Sequence, residues 1–227
     1  MKSTIEINYR QFINFEVAFK CTVYVYLMKL SDVVASVKVA MMDASQKASK
    51  RSLTVLGNRC KCKPGCSACC SRLIYINVAE ALIIYSHLKD SGTWQKVRET
   101  AQSQYGLASS SSEIAWFNMN KACPVLDPET KKCRAYSVRP TSCSVHFVTS
   151  DPSLCDPWST SAGNFESAGF PEIHAEFMET LSQILSGRGV LEFRLPLPAA
   201  LLFAEKVQVQ KGLTAEQIIT FIAMETT

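Results

Sequence analysis

No uninterrupted apolar run in this chain reaches the roughly 20 residues that a membrane-spanning helix needs. The stretch from Phe12 to Leu30 comes nearest, and Glu16, Lys20 and Lys29 interrupt it. Its longest uncharged part, Cys21 to Met28, is eight residues long, begins late and is followed by no small-x-small cleavage pattern. We read it as a strand or buried helix, and the chain as cytoplasmic and not exported. Charge is scarce too: charged residues make up 19% and the net charge is +4, too mild to argue for a nucleic-acid partner. Histidine is limited to His87, His146 and His174. No Gly-rich phosphate loop, GxSxG or HExxH pattern occurs, so none of those motifs supports nucleotide hydrolysis, a serine hydrolase or a zincin. No internal repeat is visible.

What is present is core material and cysteine. Hydrophobic residues make up 47% of 227, enough to bury a sizeable core without covalent staples. Ten cysteines are the outlying number. Disulfide frameworks belong to oxidising compartments and to domains too small to build a core, so metal ligation is the better explanation here.

Residues 28–56 carry helical periodicity through Leu30, Val33, Val34, Val37, Val39, Ala40 and Met41, ended by Gly57 and Asn58. From Lys47 to Arg72 run seven basic residues and no acidic one, placed to offset thiolate charge or to form a solvated face. Leu73 to Ile76 reads as a strand or a helix lead-in. Asn77 with Glu80 forms a capping pair for a helix through Leu88. A second helix is expected from Thr93 to Tyr105, stopped by Gly106, with Ala108 to Ser112 as a connector. Cys123 to Tyr136 reads as two short extended pieces around a turn at Asp127-Pro128-Glu129-Thr130. Residues 148–171 read as irregular. Helices follow from Pro171 to Leu185 and from Pro198 to Gln210. Thr214 and Gln217 cap a last one before Ile218, Ile219 and Ile222. The fold class is therefore mostly α with a few short strands, in one compact domain around a cysteine-rich metal centre. We divide it into an N-terminal extension and helix (1–56), a cysteine core (57–160) and C-terminal helices (161–227).

The first cysteine group reads Cys60-Lys-Cys62-Lys-Pro-Gly-Cys66-Ser-Ala-Cys69-Cys70. Thiols two or three residues apart on a tight loop can converge on one ion or cluster. Adjacent side chains diverge, so one of Cys69 and Cys70 is expected to turn toward the core or a second metal. The second group is Cys123, Cys133 and Cys143 at nine-residue intervals, with Cys155 beyond. A hairpin would bring Cys123 and Cys133 together, and Pro140 would turn Cys143 back toward them. We expect metal ligands among Cys62, Cys66, Cys69, Cys70, Cys123, Cys133 and Cys143, with Cys60, Cys155 and His146 as weaker candidates. His87 and His174 read as surface residues, and Trp116, Phe117, Trp158 and Phe165 as core or lid. Arg139 orders the turn before Pro140 or holds an anionic substrate.

The residues Cys62, Cys66, Cys69 and Cys70 resemble the first motif of the YkgJ-like cysteine-cluster family, the zinc- or iron-chelating domain named for CxxCxxCC. So does the ordered set that follows: Cys123-Pro124-Val125-Leu126, Cys133-Arg134-Ala135-Tyr136 and Arg139-Pro140-Thr141-Ser142-Cys143. The likeness covers residues 60–146. It departs from the pattern in one place, with three residues between Cys62 and Cys66 where the family has two, which lets Cys60 compete for the role. The resemblance implies metal binding, as an iron–sulfur cluster (4Fe-4S) or zinc. It also implies a relation to flagellin lysine N-methylases. Three functions stay open: an iron–sulfur or zinc protein of unknown reaction, a methylase-like or radical S-adenosylmethionine-type enzyme, and a non-catalytic zinc module with a protein partner. The spacing Cys62-x3-Cys66-x2-Cys69 is that of the radical enzymes, whose fold needs alternating strands and helices after it.

Overall fold

The computed structural model describes residues 33–63, 65–156, 159, 164–188 and 192–209. Cys21 to Met28, Leu30, Trp158 and the segment from Gln210 to Ile222 lie outside them.

The first helix, α1 (residues 33–51), turns Val33, Val37, Met41, Ala44 and Ala48 inward, a stripe three or four residues apart. Val39, which the periodicity had placed on that stripe, is exposed because it falls between two core positions. The helix widens over Ser52–Leu56 and stops where Gly57 takes φ 49°, a left-handed conformation that suits glycine. Helix α6 (Pro171–Ser186) faces α1 with its own stripe of Ile173, Phe177, Leu181 and Leu185. Lys47 pairs with Glu176 and Arg51 with Glu172 across the two. Both bases are therefore spent on surface ion pairs and do not serve the cysteines.

The centre is built from two strand–helix units. Strand β1 (Tyr75–Asn77) leads directly into α2 (Val78–Asp90), and β2 (Arg194–Pro196) directly into α7 (Leu197–Val209). The strands pair antiparallel, Ile76 opposite Leu195, so the two helices start side by side. Both are apolar nearly all round, with Leu82, Ile84, Leu88, Leu201 and Phe203 among the largest fully buried side chains. Helices of that kind must lie in the middle of a fold. Replacing Leu82 by alanine is expected to cost about 2–5 kcal/mol. It would be read as a lower urea midpoint at unchanged slope.

The capping pair expected at Asn77 and Glu80 is a full capping box. Helix α3 (Trp94–Ser110) packs on α7, where Glu205 accepts from Trp94 Nε1 at 2.8 Å and from Arg98 Nε at 2.8 Å. This helix runs five residues past the expected stop at Tyr105. Buried Ala108 clusters with Leu73 and Trp116, which holds the last turn across the helical Gly106. Ser112 then caps the short α4 (Glu113–Asn118) through the Ala115 N–H.

Among the described residues the only sheet has two strands, and the architecture is mostly helical as expected. The alternating strands and helices that a radical S-adenosylmethionine fold needs do not follow the cysteine motif among them. No helix in the described part is long and apolar enough to cross a membrane.

Candidate metal centre

The loop from Cys60 to Cys70 is anchored at both ends. The Lys61 N–H donates to the Val148 carbonyl, and the Cys123 N–H donates to the Cys70 carbonyl. That second bond joins the two cysteine segments directly. Gly65, at φ 86°, makes the turn before Cys66, a backbone position that favours glycine. A 3₁₀ turn (Ala68–Ser71) follows and carries both Cys69 and Cys70.

The second segment is held from below. Gln104 of α3 donates to the Ala122 carbonyl, fixing the chain just before Cys123. The expected turn forms around Asp127, whose Oδ1 accepts from the Glu129 and Thr130 N–H groups, and Leu126 pairs with Cys133 across it. Arg134 clamps the hairpin by donating to Leu126 O and Asp127 Oδ2. His87 is not a free surface residue, because its Nε2 meets the Arg134 carbonyl at 3.1 Å. Cys143 rides on the single turn α5 (Thr141–Ser144). That turn is tied to α2 by the fully buried Glu80, whose Oε1 accepts from Thr141 N and Oε2 from Asn77 N. Glu80 was legible as a cap, but its reach to a residue 61 positions away was not.

Six cysteines then line one cavity of about 370 Å³: Cys66, Cys69, Cys70, Cys123, Cys133 and Cys143. Ile74, Ile84, Val125, Ala135 and Leu197 supply apolar wall, and Arg72, Lys131, Lys132 and Arg139 are the charged lining residues. No aspartate or glutamate lines it. Cys69 and Cys70 both face the cavity, against the expectation that one would turn away. A 3₁₀ turn places successive side chains about a third of a turn apart, so neighbours can share a face that strand geometry would separate. Cys60, Cys62, Cys155 and His146 are outside the lining. The turn of Cys155 packs against that of Cys69 and Cys70. Cys60 is within 3.7 Å of the Cys62 carbonyl, and His146 stacks edge-on to Phe165. His174 is half-buried with an unpaired Nδ1, not the surface residue expected.

All nine described cysteines are free thiols. Burial pushes Cys123 up to about 12, and Cys133 and Cys143 also rise with burial as the main cause. Neighbouring thiolates add to each rise, because one negative sulfur opposes the next. Cys69 is the exception. The Cys70 thiol donates to it, which lowers Cys69 to about 7 and raises Cys70. The cavity thus disfavours several bare thiolates at once, and cationic charge is what would relieve it.

Thiols of this number suit zinc and iron, which take soft sulfur ligands. The donor chemistry fits, although the side chains do not clasp: among the described residues no three His, Cys, Asp or Glu groups converge closely enough to hold one ion. The site is a sulfur-lined chamber walled by thiols from both cysteine segments.

Comparison with known families agrees. Residues 61–161 match the CxxCxxCC family, described as a "putative zinc- or iron-chelating domain". The matched segment is a little under half of the chain, and it covers the motifs from Cys62 to Cys143 that carry the YkgJ-like resemblance. The match begins after Cys60 and includes Cys62 and Cys155. No curated protein and no solved structure matches the chain.

Proposed function

We propose that this protein holds an iron–sulfur cluster in the cavity, with ligands drawn from Cys66, Cys69, Cys70, Cys123, Cys133 and Cys143. The observation that carries the reading is that thiols from two segments, more than 50 positions apart in the sequence, share one wall system. The backbone bond from Cys123 to Cys70 makes their meeting part of the fold. A chamber of 370 Å³ is far larger than a lone zinc ion with four close thiolates requires, which favours a cluster over a single ion. Cys62, the first cysteine of the family pattern, is left out of the set because it stands off the cavity wall. When bound, such a cluster would supply electron transfer or an open iron for substrate. The protein's part is to hold the sulfurs, exclude water with Ile84, Val125 and Leu197, and set the local charge with Arg72 and Arg139. A reducing compartment such as the cytoplasm suits nine free thiols.

The test is purification without oxygen, followed by iron, zinc and acid-labile sulfide measured per chain. Iron with matching sulfide and a brown colour is the expected result. Zinc without sulfide would overturn the cluster while leaving a thiolate chelator. Neither metal, in protein never exposed to oxygen, would overturn the whole reading.

A further inference from the structure

The cavity has more room than a metal centre uses, with cations on its wall and at its rim. Four thiolates around Zn²⁺ or a [4Fe–4S]²⁺ core leave a net charge of about −2. Against that, Arg72, Lys131, Lys132 and Arg139 line the chamber with no acid among the lining residues. Arg72 and Arg139 match that charge within the chamber, and Lys131 and Lys132 add two more at its rim.

Arg139 is the most informative of the four. Its guanidinium lies over the Tyr136 ring at 4.6 Å, which fixes its place. Its Nε is buried and has no hydrogen-bond partner among the described residues. Buried donors are nearly always satisfied, so the orphaned one calls for an acceptor; Arg139 borders this cavity and a much smaller pocket against α1, and only the first has room for one. Arg72 is differently engaged, with its guanidinium against Phe165 at 5.7 Å. The lysines are exposed and belong to the rim.

The rest of the wall says what accompanies the acceptor. Ile74, Ile84, Val125, Ala135 and Leu197 form an apolar face. Organic-ligand pockets run from about 300 to 1,000 Å³, and an apolar cavity of about 150 Å³ already admits benzene. The 370 Å³ here must hold the metal as well, so what fits beside it is a ligand of about benzene's size.

We propose that the cavity binds, beside its metal, a small organic anion with an apolar body, its carboxylate or phosphate monoester held by the Arg139 fork. The planar guanidinium matches both headgroups through paired N–H donors. The apolar body lies against Ile84, Val125 and Leu197. This rests on the cavity being the metal centre proposed above.

The experiment uses the full chain as purified, with its metal content measured on the same sample. Benzoate, phenyl phosphate and benzylamine are titrated by calorimetry. At least one of the two anions is expected to bind at least tenfold more tightly than benzylamine. Compared with wild type at equal metal per chain, Arg139→Gln is expected to weaken that anion at least tenfold, and Arg139→Lys to recover part of the loss. Which anion binds separates a carboxylate site from a phosphate site. Equal binding of benzylamine, binding of neither anion, or an unchanged Arg139→Gln would overturn the proposal. The two readings fail separately. Metal present without anion binding sinks the anion site alone. Arg139-dependent anion binding in protein that never carries metal sinks the metal centre and leaves the anion site standing.

Discussion

Serine at Cys123 or at Cys143 is expected to strip most of the metal from the protein, and serine at both to abolish binding. Each side chain lines the cavity on a different element, Cys123 ahead of the hairpin and Cys143 on α5. Loss of an outer-shell partner alone weakens metal binding roughly 10–100-fold, so loss of a ligand sulfur exceeds that. Serine nearly preserves the volume, but its oxygen is a harder and poorer ligand for zinc or iron. Both positions are half-buried, so some loss of stability is expected as well. Cys155→Ser separates the two effects, because Cys155 is buried but outside the cavity lining. It is expected to lower the unfolding midpoint while metal per chain stays at the wild-type value. Unchanged metal content in both Cys123→Ser and Cys143→Ser would defeat the two-segment site. Metal loss only in Cys155→Ser would move the centre to the far side of the Cys69 turn.

The second large effect is expected at Glu80, which touches no thiol. Its two oxygens satisfy the N–H groups of Asn77 and Thr141, one at the start of α2 and the other at the start of the turn bearing Cys143. Alanine would leave both donors buried and unpaired, at about 1–3 kcal/mol each. Glu80→Ala is therefore expected to lower stability by about 2–6 kcal/mol and to reduce metal per folded chain by freeing the turn. Glu80→Gln keeps one acceptor and should fall between. If metal content tracks wild type in the folded fraction of both variants, Glu80 caps the helix and positions nothing.

The same residue sets a pH dependence. Burial pushes the Glu80 carboxyl above its ordinary value of 4.5, opposed by the Thr141 and Asn77 N–H bonds. A carboxyl whose folded pKa is raised contributes its full stability below the unfolded value. That contribution erodes as pH rises through the folded pKa. The stability gap between wild type and Glu80→Ala should accordingly be wider at about pH 5 than at about pH 8. A gap that widens with pH would mean that the two N–H bonds outweigh burial.

Local features were legible in advance because each is specified within a few residues. The stripe through Val33, Val37 and Met41, the box at Asn77 and Glu80 and the Asp127 turn all depend on period or on short hydrogen bonds. The features misplaced or left open depend on distant partners. Gly106 did not end α3, because Leu73 and Trp116 bury the turn beyond it. Lys47 and Arg51 sit beside the cysteine loop in sequence but pair with Glu176 and Glu172 of α6. Three of the four cations at the cavity, Lys131, Lys132 and Arg139, come instead from the second segment.

The sequence by itself marked cysteines from two groups as the candidate site, since their spacing and the ordered Cys-Pro, Cys-Arg-Ala-Tyr and Arg-Pro-Thr-Ser-Cys motifs are local facts. It also determined a mostly helical fold, since helical period and caps are written within single turns. Only the tertiary structure decided which thiols share a chamber, that Cys69 and Cys70 face it together and Cys62 does not, and that Glu80 ties a helix cap to Cys143. Those outcomes turn on the pairing of β1 with β2, which sets α2 beside α7, and on the Cys123–Cys70 bond. Contacts between residues so far apart in the chain leave no periodic trace in it.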